Sequence, residues 1–308
     1  MTSMLGVSTC WKSRSLADGD RIIRDLAGIA ATGVELDYRL SPAMLESALK
    51  TMNELGIKPL SMHAVCPAPV NKKSKNHAEV FMLCSADEDE RRSAVKEVAV
   101  CLKAASGLGI GVVALHCGII MMERLSFTLQ RMYDDGSIHS QDGQRVLAEF
   151  KTRRMSERGP VFDQLLKSLE EVNEEAERLN VLVGVENRYY MEELPNFDEF
   201  CVIFDRMKGS NIRYWHDTGH AQVQENLGFT PHEAYLAEFS NLLIGVHIHD
   251  VKGYSDHSAP PVNADDSVDF RMVKKYLKPE TIRILELKES VSEEDARAGL
   301  AWLAGNGF

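Results

Sequence analysis

The chain has 308 residues, with 35 Lys and Arg against 46 Asp and Glu and a formal net charge of −11. Hydrophobic residues make up 44% and charged residues 26%, which is ordinary for a globular protein and excludes a mostly disordered chain or a collagen-like repeat. The acidic balance argues against non-specific binding to nucleic acid or to anionic membranes. The length suits either two domains or one large α/β barrel.

The six cysteines form no C-x-x-C pair, which argues against a zinc ribbon or a thioredoxin-type site. Scattered single cysteines suit a reducing compartment. The N-terminus lacks a basic start followed by an apolar run, and no apolar stretch reaches about 18 residues. We therefore expect a cytoplasmic protein with no signal peptide and no membrane span.

Short apolar runs alternate with amphipathic segments along the chain, which predicts a repeat of strand and helix. Most of the runs are rich in Val, Ile and Leu, as expected of parallel strands that are buried on both faces. The eight predicted strands are Met4–Ser8, Val34–Asp37, Pro59–His63, Val112–His116, Leu182–Glu186, Ile212–His216, Leu243–His247 and Ile282–Glu286. The predicted helices lie near residues 22–29, 44–55, 88–108, 162–179, 197–207, 231–239, 270–276 and 292–303.

Eight such alternations predict a single (β/α)8 TIM barrel over residues 1–308. The rival is an open doubly wound sheet, which usually has a glycine-rich phosphate loop after its first strand. The sequence GVSTCWKSRS at that place contains no G-x-G-x-x-G. Two loop insertions, at about 64–87 and 117–160, exceed ordinary loop length. In a barrel both would form lids or walls over the face that carries the active site.

Potential metal ligands lie at or beside the ends of six predicted strands. In a parallel barrel these ends meet at one mouth, so His and carboxylate side chains there predict an oxygen and nitrogen site for Mn, Mg, Co, Zn or Fe. No comparable set occurs at the strand starts. The candidates are His63, His116, Glu186, Asp217, His247, His249 and Glu286.

Each candidate also has a simpler structural interpretation. His63 or His116 alone could be a hydrogen-bonded core histidine, and Asp217 could cap the next helix. A carboxylate at the end of an apolar strand, such as Glu186, is costly to bury unless it is paired or binds a metal. The occurrence of such residues on consecutive strands favours the metal site.

Four motifs resemble the xylose-isomerase-like TIM-barrel superfamily: VGVEN at 183–187, DTGH at 217–220, VHIHD at 246–250 and ILE at 284–286. This superfamily contains sugar isomerases and epimerases, inosose-type dehydratases and endonuclease IV-type phosphodiesterases of DNA repair. The resemblance extends over nearly the whole chain. DTGH followed by a V-H-x-x-D strand is fairly specific to the superfamily but to no single activity.

The resemblance implies one divalent metal held by Glu186, Asp217, His247 and Glu286, as in the epimerases and isomerases. Glu186 and Glu286 would also be the catalytic pair, exchanging a substrate proton as base and acid through an enediolate that the metal stabilises. His220 would bind a substrate oxygen or lie at the edge of the metal. The implied function is an isomerase or epimerase of a small sugar or polyol derivative, or a polyol dehydratase with the same site.

The endonuclease IV type uses additional ligands, and the chain has candidates for them. His63 and His116 stand at the matching strand ends, and His220 and His257 are further candidates. The spacing departs from the D-x-H of that type because Asp256 directly precedes His257. Sugar-acting relatives also use histidines at the third and fourth strand ends, to bind substrate hydroxyls. A multi-zinc phosphodiesterase therefore remains the alternative.

Other residues near strand ends have two interpretations each. Trp11 is a candidate for an apolar wall beside a sugar ring or for core packing, and Arg188 for a contact with Glu186 or with substrate. Glu35 is a candidate for a substrate contact or a structural salt bridge. Lys288 is a candidate for a cation of the site or a surface lysine.

Two basic segments follow predicted strands: NKKSK at 71–75, and the stretch 145–158 with five basic and two acidic residues. They could contact a sugar phosphate or a nucleic-acid strand, and a solvated lid helix is the simpler interpretation of the second. The expected partner is a small sugar or sugar phosphate, with nucleic acid less favoured by the net charge. Relatives are often dimers or tetramers, but no exposed stripe in the sequence demands a homo-oligomer.

Overall fold

The structure, a computed structural model, describes residues 5–69 and 82–308. Eight parallel strands form a closed barrel in the order β1-β10-β7-β6-β5-β4-β3-β2, which confirms the predicted (β/α)8 fold. The barrel strands are β1 (Leu5–Ser8), β2 (Gly33–Leu36), β3 (Lys58–His63), β4 (Val112–Leu115), β5 (Leu182–Glu186), β6 (Ile212–Asp217), β7 (Leu243–Ile248) and β10 (Ile282–Leu285). Each coincides with a predicted strand to within one residue at its ends; Met4 and the segment NKKSK lie outside the described residues.

Helices follow the strands around the outside of the barrel. They are α1 (Cys10–Ser13), α2 (Gly19–Gly28), α3 (Pro42–Leu55), α4 (Glu88–Gly107), α5 (Ser126–Asp134), α6 (Gln141–Leu179), α7 (Phe197–Arg206), α8 (Thr218–Asn226), α9 (His232–Phe239), α10 (Phe270–Tyr276) and α11 (Glu293–Gly305). Among the described helices, even the 39-residue α6 lacks the apolar composition that a bilayer crossing needs.

A small antiparallel hairpin, β8 (Asp250–Lys252) with β9 (Ser255–Ser258), follows β7 and was not predicted. Its strands have three and four residues and mostly polar sequences, so they lack the apolar run that identifies a buried strand. The hairpin matters because it carries Asp256 and His257 to the mouth of the barrel.

Trp215 fills part of the barrel interior, where it packs with Ala114, Ile282 and Ile284 from other strands. The close fit depends on a glycine in the neighbouring strand. A Cβ atom on Gly245 would lie 2.0 Å from the Trp215 ring, so no larger residue fits there without displacing it.

The segment 117–160 is mainly helical, which corrects the prediction of a long loop. It contains α5, a short 3-10 turn and the first half of α6, and Pro160 lies inside α6 instead of at its start. A proline is expected to interrupt a helix because it lacks an N–H group. Here tertiary packing outweighs that effect, since Leu147 of α6 and Leu129 of α5 form a second core cluster with Val223 of α8 and with Leu227, which directly follows α8.

The basic side chains of this stretch of α6 are held by nearby groups. Arg145 pairs with Asp142, Arg153 pairs with Glu123, and Lys151 donates to two backbone carbonyls. These side chains therefore do not form the open basic surface that a nucleic-acid backbone requires.

Candidate functional site

The barrel strands carry polar side chains to a common point at their carboxyl ends. His63, Glu186 and Asp217 are the last residues of β3, β5 and β6. His247 lies in β7 one residue before its end, and Glu286 directly follows β10. All five are buried. The structure thus brings together the four residues predicted to bind a metal.

The centre of this group is Nδ1 of His247. It lies 3.3 Å from Glu286 Oε2, 3.5 Å from Glu186 Oε1 and 4.0 Å from Asp217 Oδ2. It is buried and has no hydrogen-bond partner among the described residues. Three carboxylates and one unpartnered imidazole nitrogen therefore face the same point, as the ligands of a cation do.

The opposite nitrogen of His247 is held by Glu35. His247 Nε2 lies 3.0 and 3.1 Å from the two oxygens of the buried Glu35 carboxylate, which also accepts a hydrogen bond from Ser61 Oγ at 2.9 Å. Glu35 thereby fixes the orientation of the imidazole so that Nδ1 faces the other carboxylates, and it would keep the proton on Nε2 when Nδ1 binds a cation. Glu35 was a candidate for a substrate contact or for a structural salt bridge, and the structure shows the structural contact, with His247.

The cluster carries a surplus of negative charge. Burial acts to lower the pKa of His247, but the carboxylates of Glu286, Glu35 and Glu186 outweigh it and raise that pKa well above its ordinary value. Several buried carboxylates at one place are costly unless cations compensate them. The donor set and its charge therefore fit a divalent cation with oxygen and nitrogen ligands.

A second group of polar contacts lies around Glu186. Its Oε2 lies 3.3 Å from His63 Nε2 and 3.0 Å from His116 Nε2. The guanidinium of Arg188 donates to His116 Nε2 at 2.5 Å and to Glu186 Oε1 at 3.2 Å, and it is also paired with Glu193. Burial and the charge of Arg188 lower the pKa of His116 to about 3, so this imidazole is neutral. Arg188 thus supplies a cation beside both His116 and Glu186.

The DTGH motif spans the end of β6 and the first turn of α8. Asp217 Oδ1 accepts the backbone N–H of His220 at 2.7 Å, so Asp217 caps α8 as well as facing the cluster. Nδ1 of His220 donates to the carbonyl of Asn187 at 3.0 Å, and the imidazole lines the cavity. Gly219 allows His249 to approach, because a Cβ there would lie 2.0 Å from the His249 ring.

The hairpin completes the mouth with two side chains. Asp256 Oδ2 lies 3.0 Å from His257 Nδ1 and 3.8 Å from His220 Nε2. His257 Nε2 lies 3.6 Å from Glu286, and its ring stacks on His249 at 4.0 Å. Asp217, His220, His249 and His257 could therefore also hold a metal ion between them. Asp256 was identified only as a departure from a motif, and no periodicity in the sequence indicates that it faces the site.

A cavity of about 440 Å³ opens above the cluster and is lined by Glu186, Glu286, His116, His220 and Arg188. Trp11 is not at this cavity, which corrects its prediction as a wall for substrate. Its ring is fully buried in the core, and Nε1 donates to the carbonyl of Val291 at 3.0 Å.

Residues 23–305 match the family model described as the xylose isomerase-like TIM barrel. No curated protein matches the sequence significantly. Among solved structures, a D-tagatose 3-epimerase-like protein has 18% identity and a TM-score of 0.67, over 99% of this chain and 96% of its own. The 3-keto-D-glucoside 4-epimerase of E. coli has 13% identity and a TM-score of 0.67, over 99% and 100%. D-psicose 3-epimerase of Clostridium cellulolyticum H10, in a structure with D-tagatose, has 13% identity and a TM-score of 0.67, over 99% of each chain.

Proposed function

Because the chain belongs to the xylose isomerase-like TIM-barrel family, we propose that it is a divalent-metal-dependent isomerase or epimerase of a small sugar or polyol derivative. One observation carries the proposal. Three buried carboxylates and an unpartnered imidazole nitrogen converge at the base of a cavity that is large enough for a small sugar. The names of the three similar structures, two sugar epimerases and one epimerase-like protein, support the same class of enzyme.

In this proposal Glu186, Asp217, His247 and Glu286 hold the metal ion. When bound, the ion polarises the substrate oxygens and stabilises the negative charge that develops on them as an enediolate. The remaining steps belong to the side chains of the cavity.

Glu186 and Glu286 exchange the proton at the reacting carbon, one as base and the other as acid. Burial acts to raise the pKa of Glu186, but the charge of the neighbouring His247 and the hydrogen bond from His220 hold it well below its ordinary value, so this carboxylate is ionised. Arg188 orients Glu186 through the hydrogen bond to Oε1. Dehydration of a polyol needs the same proton abstraction and uses the same groups.

The histidines of the cavity bind substrate hydroxyls. His220 presents Nε2 to the cavity because its Nδ1 donates to the carbonyl of Asn187. His63 lies deeper, with Nδ1 at 3.1 Å from the carbonyl of Ala64 and Nε2 at 3.3 Å from Glu186 Oε2, so it orients Glu186. Side chains held in fixed orientations select hydroxyls at defined positions, which is what discrimination between epimers requires.

The second candidate is a multi-zinc phosphodiesterase. Two observations favour it: His63 and His116 lie beside Glu186, and Asp256 and His257 lie beside His220. Arg188 opposes it, because its guanidinium already donates to His116 and Glu186, where a second divalent ion would be repelled. The net charge of −11 and the paired residues of α6 also oppose binding to a DNA backbone.

Solvent exchange tests the proposed function on several sugars of the same class. The Mn²⁺-loaded protein is incubated in D₂O with D-tagatose, D-psicose, D-fructose and L-ribulose, and the proton signals at the carbons next to the carbonyl are followed by NMR. The expected result is loss of one such signal together with formation of an isomer or epimer. Absence of exchange with every sugar, together with chelator-sensitive cleavage of an abasic DNA duplex, would favour the phosphodiesterase.

Loss of the Glu35 carboxylate is expected to weaken metal binding. Glu35→Ala removes the group that fixes the proton and orientation of His247, and loss of such an outer partner lowers metal affinity roughly 10–100-fold. Calorimetric titration with Mn²⁺ measures the change. Ser61→Ala, which removes only a donor to Glu35, is the control and is expected to have a smaller effect. An unchanged Mn²⁺ affinity in a folded Glu35→Ala protein would show that Glu35 does not support the ligand.

A further inference from the structure

We propose that the substrate of this cavity carries a carboxylate or phosphate group, which is bound by Arg14 and Lys288 at the rim. The inference rests on the proposed function, since it concerns the substrate of the same site. It is supported by where the two cations lie and by how the other charges of the cavity are paired.

The two cations reach the cavity from neighbouring parts of the barrel. Arg14 directly follows α1, the short helix after β1, and Lys288 lies two residues beyond Glu286. The strands that precede them, β1 and β10, are paired in the sheet. Two residues separate the Cα atoms of Glu286 and Lys288 by at most about 7 Å. Lys288 is therefore close enough to contact the far end of a small substrate whose other end reacts at Glu286.

Both side chains are exposed and lack an acidic partner. No carboxylate of a described residue lies within 4.0 Å of the Arg14 guanidinium or the Lys288 ammonium, and Lys288 Nζ donates only to Ser255 Oγ, at 3.3 Å, among described groups. By contrast, the exposed Arg21 is paired with Asp25, and the exposed Arg206 is paired with Glu170. The charges of Arg14 and Lys288 thus remain available to a ligand.

The remaining charges of the rim leave a positive balance. Arg39 also lines the cavity, but its guanidinium is held by Asp37 at 2.7 Å and also donates to the hydroxyl of Tyr38. Glu289 is the acidic residue of the rim, while the other acidic residues lining the cavity belong to the ligand cluster or to the hairpin. Because Asp256 of the hairpin is paired with His257, Arg14 and Lys288 outnumber Glu289 among the remaining charges of the rim, which favours an anion there.

The chemistry of these side chains selects an anion over a hydroxyl. A neutral sugar presents hydroxyls that both donate and accept, whereas Arg and Lys only donate. Arginine matches the two oxygens of a carboxylate or phosphate with parallel N–H groups, and lysine adds a compact charge. A sugar acid or a sugar phosphate, with its anionic group at the end remote from the metal ligands, satisfies both cations.

Three ligands with the same carbon skeleton test the inference: D-fructose, D-fructuronate and D-fructose 6-phosphate, which differ only at C6. Their dissociation constants are measured by calorimetry on the Mn²⁺-loaded protein. At least one anion is expected to bind ten times or more tightly than D-fructose. Preference for fructuronate over the phosphate identifies a carboxylate site, and the reverse preference identifies a phosphate site.

Variants of Arg14 and Lys288 show whether these two side chains cause the preference for an anion. The dissociation constant of D-fructose is divided by that of the more tightly bound anion. This ratio is expected to fall tenfold or more in the double variant Arg14→Ala with Lys288→Ala. Lys50→Ala, an exposed lysine of α3 far along the chain from the rim, is the control and keeps the ratio. Equal binding of all three ligands, binding of none, or a ratio that survives in the double variant overturns the inference.

Solvent exchange separates this inference from the proposed function. Exchange with neutral ketoses and no anion preference contradicts the inference and leaves the proposed function standing. An anion preference that depends on Arg14 and Lys288, without proton exchange in any ligand, supports the anion site and contradicts the isomerase or epimerase.

Discussion

Glu186→Gln is expected to lower kcat by about 10³-fold or more, because general acid–base catalysis contributes about 10²–10⁴-fold and this residue also faces the metal site. The amide keeps the size of the side chain but cannot accept the proton. The measurement is the rate of solvent exchange and of product formation at saturating Mn²⁺, with the ketose that the exchange assay identifies. Circular dichroism and the melting temperature establish that the variant is folded.

Glu192→Gln provides a matched control for this change. Glu192 is a buried glutamate of the loop that follows β5, and its carboxylate accepts hydrogen bonds from the N–H and hydroxyl of Ser126, away from the cavity lining. We expect this variant to retain most of its activity. If Glu186→Gln keeps a rate within tenfold of the unchanged protein, Glu186 does not transfer the proton.

Arg154→Met is expected to destabilise the protein by about 3–5 kcal/mol, the usual cost of removing one partner of a buried ion pair. Arg154 is 3% exposed, and its guanidinium donates to Glu199 at 2.6 and 2.9 Å and to the carbonyl of Glu193 at 2.9 Å. Without it, the fully buried Glu199 keeps its charge in the core. Urea unfolding, followed by fluorescence and circular dichroism, measures the loss.

Arg158→Met is the control for the ion pair. Arg158 also approaches Glu199, at 3.5 Å, but it is 29% exposed and lies one helical turn further along α6. Exposed or partly exposed pairs contribute about 0–1 kcal/mol, so the expected loss is small. Equal destabilisation by the two substitutions would show that Glu199 is not specifically compensated by Arg154.

This ion pair also explains part of the difference between the predicted and observed architecture. The sequence predicted a loop insertion at about 117–160, with a solvated lid helix as the simpler interpretation of 145–158, because local signals do not reveal partners that are distant in sequence. Glu199 lies 45 residues away, on α7, and its pairing fixes the first half of α6 against the barrel. Tertiary contacts of this kind stabilise the helical conformation of α6 in spite of Pro160.

The barrel strands were predictable because burial on both faces leaves continuous apolar runs, and because a polar residue ending such a run is conspicuous. Glu186 and Asp217 are recognisable in this way. Trp11 was ambiguous, since an aromatic residue after a strand suits a core as well as a cavity, and the structure places it in the core. Asp256 was not predictable as a cavity residue, because a short polar hairpin positions it.

Glu35 shows what spacing alone could not decide. The sequence identifies a carboxylate near the end of a strand but not which of several groups at the mouth it contacts. The structure pairs it with His247, 212 residues away, so its contribution to the site is the orientation of a ligand. Polar residues of this kind need the register and curvature of the closed barrel before their contacts can be assigned.

The number of metal ions per chain tests the central claim most directly. Elemental analysis is made on protein purified without chelator and without a histidine tag. The account predicts about one Mn, Mg, Co, Fe or Zn ion per chain, since Glu186, Asp217, His247 and Glu286 form one site and Arg188 occupies the place beside it. Two or three zinc ions per chain would contradict it, and would make His63, His116 and His257 metal ligands of a phosphodiesterase.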